Sequence, residues 1–200
     1  MPAPIDFYFD FYSPYGYFAS LKIDAIAARH GREVNWRPIL LGPAFKAVGS
    51  RPLLEIPMIG EYAAHDFRRT ARLEGVAFVM PPTFPGATLA AARAFYWLDA
   101  QDPLLARQFA KRLYQAGFGE GRDMLDVQQV AGVAEACGVE RSALLAAIQT
   151  DAVKNCFKDA VAASLAQGVF GSPFVVVDGE AFWGNDRLGQ VERWLETGGW

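Results

Sequence analysis

Segments that favour β-strands stand near the two ends of this 200-residue chain, and a long helical stretch separates them. Aromatic and apolar residues predict a strand at 5–10, and amphipathic spacing predicts a helix at 15–30 that ends at Gly31. A second strand is expected at 34–39. A strand, a helix and a strand in this order imply a parallel pair of strands joined by a right-handed crossover.

The C-terminal part of the chain predicts an antiparallel hairpin and one more helix. Phe174 is followed by three valines, a β-branched run that favours a strand. Asp178 and Gly179 then form a dipeptide that strongly favours a two-residue hairpin turn. A return strand is expected at 180–183, and an amphipathic helix is expected at 186–196.

The middle of the chain is expected to be almost entirely helical, with proline and glycine between the helices. Amphipathic spacing predicts helices at 61–74, 88–100, 103–116, 127–137, 142–148 and 152–167. The proline-containing segments at 42–60 and 76–87 are expected to be long loops. Long loops in compact domains are often functional, so both segments are candidates for ligand binding.

This order of elements is that of an α/β protein with a thioredoxin-like fold and a large inserted helical domain. Residues 1–42 and 151–200 are expected to form the thioredoxin-like domain, and residues 43–150 the inserted helical domain. In that fold the active loop follows the first strand, and a proline before the third strand faces the loop. The corresponding residues here are Ser13 and Pro173.

The composition narrows the class of partners. Hydrophobic residues make up 52% of the chain and charged residues 20%, which is enough apolar material for a folded core. The net charge is −3 and no basic stripe is present, so nucleic acid is not an expected partner. No apolar run is long enough to span a bilayer, and no signal peptide is evident, so a cytoplasmic protein without membrane contact is expected. The two cysteines match neither a redox pair nor a metal-binding spacing.

Ser13 is the most specific candidate for chemistry in the chain. It lies where the first strand passes into a helix, and the first N–H groups of a helix lack partners and carry partial positive charge. Such a position favours an anion, including a thiolate. A serine followed by Pro14 is also an ordinary helix start, with the serine as cap and the proline in the first helical position. The dipeptide alone is compatible with both roles.

Three sequence blocks together resemble the 2-hydroxychromene-2-carboxylate isomerases, which are relatives of the kappa-class glutathione transferases and of DsbA. The three blocks are Phe9-Asp10-Phe11-Tyr12-Ser13-Pro14-Tyr15, Ser172-Pro173 after Phe170-Gly171, and Phe182-Trp183-Gly184-Asn185-Asp186-Arg187. A fourth stretch, Gly42-Pro43-Ala44-Phe45-Lys46, also fits the family. The resemblance runs nearly from end to end and implies a thioredoxin-like fold of the DsbA and kappa-class type.

The resemblance implies glutathione as the cofactor and Ser13 as the catalytic residue beside its sulfur. It also implies that Pro173 is cis and that the backbone of Ser172 pairs with glutathione. The residues that it assigns to glutathione binding are Ser13, Ser50, Ser172, Pro173, Gly184, Asn185 and Asp186. Asn185 and Asp186 also fit a helix cap. The redox relatives carry a cysteine pair where this chain has Ser13 and Gly16, so disulfide exchange is not expected here.

Two positions depart from the pattern of the relatives. They usually carry asparagine where this chain has Ser50, and lysine where it has Ile59. The missing lysine removes a cation that could hold a carboxylate, and Arg51, Lys46 or Arg68 are candidate replacements. The resemblance therefore leaves the identity of the substrate open.

Substrate binding is assigned to aromatic and basic residues near the two long loops. These are Tyr15, Phe45, Lys46, Arg51 and Phe84. The aromatic members either line an apolar pocket or pack into the core, and the sequence favours neither.

The function implied by the resemblance is a glutathione-dependent cis-trans isomerisation. It converts 2-hydroxychromene-2-carboxylate-type compounds to trans-o-hydroxybenzylidenepyruvate-type products in the catabolism of aromatic hydrocarbons such as naphthalene. Two alternatives remain: a kappa-class-like glutathione transferase or peroxidase, and a redox-inactive binding module of thioredoxin fold. The resemblance also implies a homodimer, and no metal ion is expected.

Overall fold

The computed structural model describes residues 2–200 of the chain. Within these residues, the strands are β1 (Ile5–Phe9), β2 (Val34–Pro38), β3 (Phe174–Val177) and β4 (Glu180–Trp183). They form one sheet in the order β2-β1-β3-β4. β1 pairs in parallel with β2 and antiparallel with β3, and β3 pairs antiparallel with β4. The predicted parallel pair and the predicted hairpin are both confirmed.

Helices account for most of the remaining chain. In the described part they are α1 (Pro14–Ser20), α2 (Ile23–Arg29), α3 (Leu41–Val48), α4 (Ile59–Glu74), α5 (Leu89–Asp99), α6 (Pro103–Tyr114), α7 (Val127–Glu135), α8 (Arg141–Ala147), α9 (Asp151–Ala166) and α10 (Leu188–Thr197). Helical elements fill the chain between β2 and β3, which confirms a thioredoxin-like fold with a large helical insertion. Over residues 2–200, every helix is too short or too polar to cross a lipid bilayer.

The single helix predicted at 15–30 is wrong, because the chain bends between α1 and α2. The Lys22 N–H donates to the carbonyl of Ala19, at 3.0 Å, which closes a tighter turn than that of an α-helix. The Ser20 hydroxyl donates to the carbonyl of Tyr17 at 2.6 Å, a bond to the preceding turn that bends helices. α1 therefore has only seven residues. The partial positive charge at its N-terminus, beside Ser13, is accordingly that of a short helix.

The loop predicted at 42–60 contains α3 and a 3₁₀ turn at Leu53–Glu55, so this part of the prediction is also wrong. Pro43 lies in the first turn of α3, where a proline is tolerated because its missing N–H would have no partner. The Leu41 N–H at the start of α3 donates to the Asp10 carboxylate at 2.8 Å. That bond joins residues 31 positions apart, so no local pattern in the sequence indicates it.

Aromatic side chains of β1 form the centre of the core. The rings of Phe7 and Phe9 stack with 5.2 Å between their centroids, and Phe9 lies edge-on to Trp36 at 5.3 Å. Phe9 also lies edge-on to Phe95 of α5, at 6.1 Å between ring centroids. Because Phe95 belongs to the helical insertion, the sheet and the insertion share one core. The loop after β1 therefore begins at a strand that is held by this core.

Candidate functional site

The Ser13 hydroxyl joins the start of α1 to the segment that precedes β3. Its oxygen accepts a hydrogen bond from the Gly16 N–H at 3.0 Å, and the hydroxyl donates to the backbone carbonyl of Ser172 at 3.0 Å. Ser13 is 5% exposed. The capping role of Ser13 is therefore confirmed. Its hydroxyl has one proton, so an acceptor placed between the two segments would receive that proton in place of the Ser172 carbonyl.

The segment before β3 has the shape that the resemblance implies. The peptide bond between Ser172 and Pro173 is cis. The Ser172 hydroxyl oxygen accepts from the backbone N–H of Asp10 at 2.9 Å, and the Pro173 carbonyl accepts from the Gly184 N–H at 3.0 Å. Among the hydrogen bonds of residues 2–200, the backbone N–H of Ser172 has no partner, which suits pairing with an extended peptide.

The third block of the resemblance forms a 3₁₀ turn at Asn185–Arg187 that packs against α1. Gly184 leads into it with a φ of 119°, a conformation that favours glycine. Neither Asn185 nor Asp186 caps α10, since Arg187 occupies the cap position and makes no side-chain cap bond. In the described part of the chain, Asn185 Oδ1 is buried without a hydrogen-bond partner, so it is an acceptor still to be satisfied.

The Tyr15 side chain reaches from α1 to α4. Its hydroxyl donates to the Asp66 carboxylate at 2.5 Å, and its ring lies edge-on to Phe67 with 5.0 Å between centroids. Burial raises the pKa of the Tyr15 phenol, and the hydrogen bond to Asp66 and the charge of Asp186 raise it further. Tyr15 is therefore a neutral phenol at pH 7, held close to the Asn185–Arg187 turn. Sequence reasoning missed Asp66, which lies on a polar helix without a local motif.

Tyr12, the residue before Ser13, belongs to a cluster of aromatic rings in the core. The Phe84 ring stacks on Tyr12 with 5.3 Å between centroids, and it lies edge-on to Phe118 at 6.3 Å. Phe84 is half-buried, as is Phe45 on α3. Tyr12 and Phe118 were not among the predicted site residues. Both rings are buried, with exposures of 5% for Tyr12 and 1% for Phe118, so of these three rings Phe84 is the one with ring surface left partly exposed.

Five predicted or candidate residues on and around α3 and α4 are on the surface. They are Lys46, Ser50, Arg51, Ile59 and Arg68. In the part of the chain that the structure describes, the side chains of Lys46, Ser50 and Arg51 make no hydrogen bond or ion pair. The structure therefore does not bring these three side chains into contact with Ser13.

The position of the second redox cysteine in the relatives is closed by packing. A Cβ atom added to Gly16 would lie 2.5 Å from the Tyr114 hydroxyl oxygen and 3.0 Å from Ser172 Oγ. The Tyr114 hydroxyl is itself fixed, since it donates to the carbonyl of Asp10 at 2.8 Å. A side chain at position 16 thus requires Tyr114 or Ser172 to move.

Comparison with known proteins agrees with this geometry. Residues 4–196 match a family model described as a DSBA-like thioredoxin domain. The chain is 33% identical over 198 residues to a 2-hydroxychromene-2-carboxylate isomerase of Sphingobium xenophagum, a match that covers 98% of this chain and 99% of the relative. It is 24% identical over 213 residues to glutathione S-transferase kappa 1 of Rattus norvegicus, with 97% and 94% covered. A solved structure of a 2-hydroxychromene-2-carboxylate isomerase superposes with a TM-score of 0.85 at 27% identity, and the match covers 96% of this chain and 94% of that chain.

Proposed function

Because the chain belongs to the family of DSBA-like thioredoxin domains, and within it to the 2-hydroxychromene-2-carboxylate isomerases, we propose that its Ser13 site performs a glutathione-dependent cis-trans isomerisation. The protein is an isomerase. Its proposed substrates are 2-hydroxychromene-2-carboxylate-type compounds, and its products are trans-o-hydroxybenzylidenepyruvate-type compounds, in the catabolism of aromatic hydrocarbons such as naphthalene. The observation that carries the proposal is the Ser13 hydroxyl, placed beside the Ser172 backbone and the cis Pro173.

The residues around Ser13 fit glutathione as the cofactor. The unpaired Ser172 N–H suits the backbone of a tripeptide, and the unsatisfied Asn185 oxygen suits a donor such as an amino group. Gly184 and Asp186 complete the proposed γ-glutamyl site, and the kappa-class relative carries glutathione in its name. When bound, glutathione supplies a thiolate that adds to the substrate and is expelled again, so that it is not consumed.

Ser13 stabilises the thiolate and is not itself the attacking group. A free thiol has a pKa near about 8.5, so it is mostly protonated at neutral pH. A hydrogen bond to a charged acceptor contributes roughly 1.5–3 kcal/mol, which corresponds to about one to two pKa units. The Ser13 hydroxyl can supply that bond by turning its single proton from the Ser172 carbonyl to the thiolate, while its oxygen continues to accept from the Gly16 N–H.

The helical insertion, residues 43–150, is proposed to form the substrate side of the site. Phe84 and Phe45 offer ring surface to an aromatic substrate, together with the edge of Tyr15. Lys46 and Arg51 are proposed to hold the substrate carboxylate, because Ile59 supplies no charge at the position where relatives carry lysine. Ser50, on the same segment, is proposed to contact glutathione.

The cellular setting is also a proposal. We propose that the protein works in the cytoplasm, where glutathione is abundant and cysteines stay reduced. Cys137 and Cys156 are free, which is compatible with a reducing compartment. The resemblance supports a homodimer.

The proposal is tested by assaying the purified protein with 2-hydroxychromene-2-carboxylate in the presence and absence of glutathione. We expect turnover that requires glutathione, and binding heat when glutathione is titrated at millimolar concentration. Glutathione-dependent conjugation of an electrophilic aryl halide without isomerisation would instead support the transferase alternative. No binding heat and no turnover would contradict both enzymatic functions and support a binding module.

A further inference from the structure

Asp10 carries a buried carboxylate that the mechanism above does not use. The residue is 3% exposed and lies at the end of β1, three positions before Ser13. Three donors point at its two oxygens: the Tyr12 N–H at 2.9 Å, the Leu41 N–H at 2.8 Å and the Thr88 hydroxyl at 3.0 Å. A buried carboxylate is costly without such bonds, so the three donors and the carboxylate depend on one another.

The backbone of Asp10 is tied to the glutathione side of the site. Its N–H donates to Ser172 Oγ at 2.9 Å, and its carbonyl accepts from the Ser13 N–H at 2.9 Å. The same carbonyl accepts from the Tyr114 hydroxyl at 2.8 Å. The two serines of the proposed cofactor site are therefore placed by the main chain of this one residue.

The side chain of Asp10 is tied to the opposite side. Leu41 is the first residue of α3, which carries Phe45, and Thr88 stands at the start of α5, four residues after Phe84. One carboxylate thus holds the beginnings of two helices of the insertion against the loop that carries Ser13. An apolar contact would not fix the direction of these helices in the same way, because hydrogen bonds are directional and hydrophobic contacts are not.

We propose that Asp10 is a positioning residue whose side chain holds the aromatic side of the site in register with the Ser13 hydroxyl. The inference rests on the proposed function and assigns separate roles to the main chain and the side chain of Asp10. The main chain of Asp10 sets the glutathione side, and its carboxylate sets the substrate side. Changing the carboxylate is therefore expected to weaken the handling of the aromatic substrate without changing the affinity for glutathione.

The test uses two variants that cut single links without changing side-chain size. In Asp10→Asn the amide nitrogen cannot accept a hydrogen bond, so at least one of the three donors loses its partner. Thr88→Val removes one donor and keeps the shape of the side chain. Asp6→Asn is the matched control, because Asp6 lies on the same strand but pairs with Arg37, at 2.8 Å.

Hydrogen exchange and kinetics are then measured on the full chain. Amides at 41–48 and 84–92 are expected to exchange faster in Asp10→Asn, and amides at 84–92 in Thr88→Val, relative to amides of α9. Both sets are expected to be unchanged in Asp6→Asn. The KM for the aromatic substrate is expected to rise about five- to tenfold, the equivalent of one lost hydrogen bond. The Kd for glutathione, measured by calorimetry, is expected to stay within about twofold because the main-chain links remain.

Three results would overturn the inference. Unchanged exchange at 41–48 and 84–92 in both variants shows that the carboxylate does not hold these helices, whether or not the enzyme turns over. If the Kd for glutathione rises by the same factor as KM, the main chain and the carboxylate of Asp10 do not have separate roles. Unchanged kinetics in folded variants with faster exchange shows that the register does not matter for the reaction.

Absence of glutathione-dependent turnover in the unmodified protein contradicts the proposed function instead, and the exchange data still decide the structural link. If Asp10→Asn does not fold, Thr88→Val supplies the exchange comparison at 84–92 and both affinity comparisons.

Discussion

The loop around Ser13 and the segment at 42–60 both carry predicted site residues, yet they are built in opposite ways. Ser13 and Ser172 are 5% and 9% exposed, and each is held by hydrogen bonds to residues far away in the chain. On the segment, Lys46, Ser50 and Arg51 are exposed, and within residues 2–200 their side chains bond to no other residue. The two serines of the proposed cofactor side are thus held in place by the fold, whereas the cationic side chains proposed for the substrate side are exposed to solvent.

This difference separates two kinds of consequence. A substitution in the buried loop changes several hydrogen bonds at once, so we expect it to affect both the chemistry and the stability. A substitution on the segment changes one exposed side chain, so we expect a small effect on the affinity for the substrate or, at Ser50, for glutathione. Ser50 and Ile59, the two departures from the pattern of the relatives, both lie on the exposed segment. Variation there is therefore expected to change the binding of substrate or glutathione and not the chemistry at Ser13.

The largest effect is expected for Ser13→Ala. Loss of the hydroxyl removes the proposed hydrogen bond to the thiolate, so kcat/KM should fall about 10- to 150-fold. The lost cap should also lower the free energy of unfolding by about 1 kcal/mol. Steady-state kinetics and urea unfolding measure the two quantities.

The matched control for that variant is Asp126→Ala. Asp126 caps α7 by accepting from the Gln128 N–H at 2.8 Å, at a helix that takes no part in the proposed site. It should lose comparable stability and keep full activity. A folded Ser13→Ala protein with the activity of the control would remove Ser13 from the mechanism.

Gly16→Ala tests how tightly the buried loop is packed. The added methyl group would lie 2.5 Å from the Tyr114 hydroxyl oxygen, so we expect a loss of about 1–3 kcal/mol in the free energy of unfolding. Adding Tyr114→Phe removes the crowding oxygen and should recover part of that loss. Gly189→Ala in α10 is the control, since a Cβ there meets no atom within 4 Å, and it should be neutral or stabilising. Equal stability of Gly16→Ala and Gly189→Ala would show that the loop is looser than its contacts indicate.

The pH dependence of stability offers a further test of the buried loop. Burial raises the pKa of the Asp10 carboxyl, although hydrogen bonds from Tyr12, Leu41 and Thr88 oppose that shift. Because the folded pKa exceeds the unfolded value of about 3.9, the carboxyl contributes stability below that pH and loses it as pH rises through the folded pKa. The free energy of unfolding of the natural protein, relative to Asp10→Asn, should therefore decrease as pH rises from about 4.

A carboxyl with the opposite shift provides the comparison for that measurement. The hydrogen bonds from Arg32 lower the pKa of the Asp178 carboxyl, which lies on the exposed hairpin turn. Its contribution is present above pH about 3.9 and is lost as pH falls through the folded pKa. The natural protein, relative to Asp178→Asn, should therefore gain stability as pH rises. The same slope in both pairs would contradict the assignment of Asp10 as the buried group.

The sequence predicted those features whose causes lie close together in the chain. A run of aromatic and apolar residues indicated β1, and the Asp178-Gly179 pair indicated the hairpin, because each pattern acts over a few residues. Ser13 was recognisable as a helix cap for the same reason, since its partner Gly16 is three positions away. These local signals, with the resemblance, were enough for the fold and for naming Ser13 as the candidate site.

The features that were missed depend on contacts between distant residues. The first N–H of α3 donates to the Asp10 carboxylate, and the Tyr15 hydroxyl donates to Asp66, which lies 51 positions along the chain. The bend after α1 is set by a serine hydroxyl that competes for a backbone carbonyl, which amphipathic spacing alone does not reveal. The network that joins the two sides of the site could therefore be seen in the structure but not in the sequence.

The smallest effects are expected on the exposed segment, where Lys46→Ala and Arg51→Ala should each raise the KM for the aromatic substrate about two- to fivefold. Exposed ion pairs contribute about 0.2–1 kcal/mol, so a larger change would require a geometry in which the side chain becomes buried on binding. Ile59→Lys restores the cation that relatives carry, and it should lower the KM by a similar factor while the Kd for glutathione stays constant. If Ile59→Lys leaves KM unchanged but Arg51→Ala raises it, the carboxylate is held from a different position than in the relatives. If none of the three variants changes KM, the carboxylate is not held by this segment, and the substrate side consists of Phe45 and Phe84, the aromatic residues that Asp10 is proposed to position.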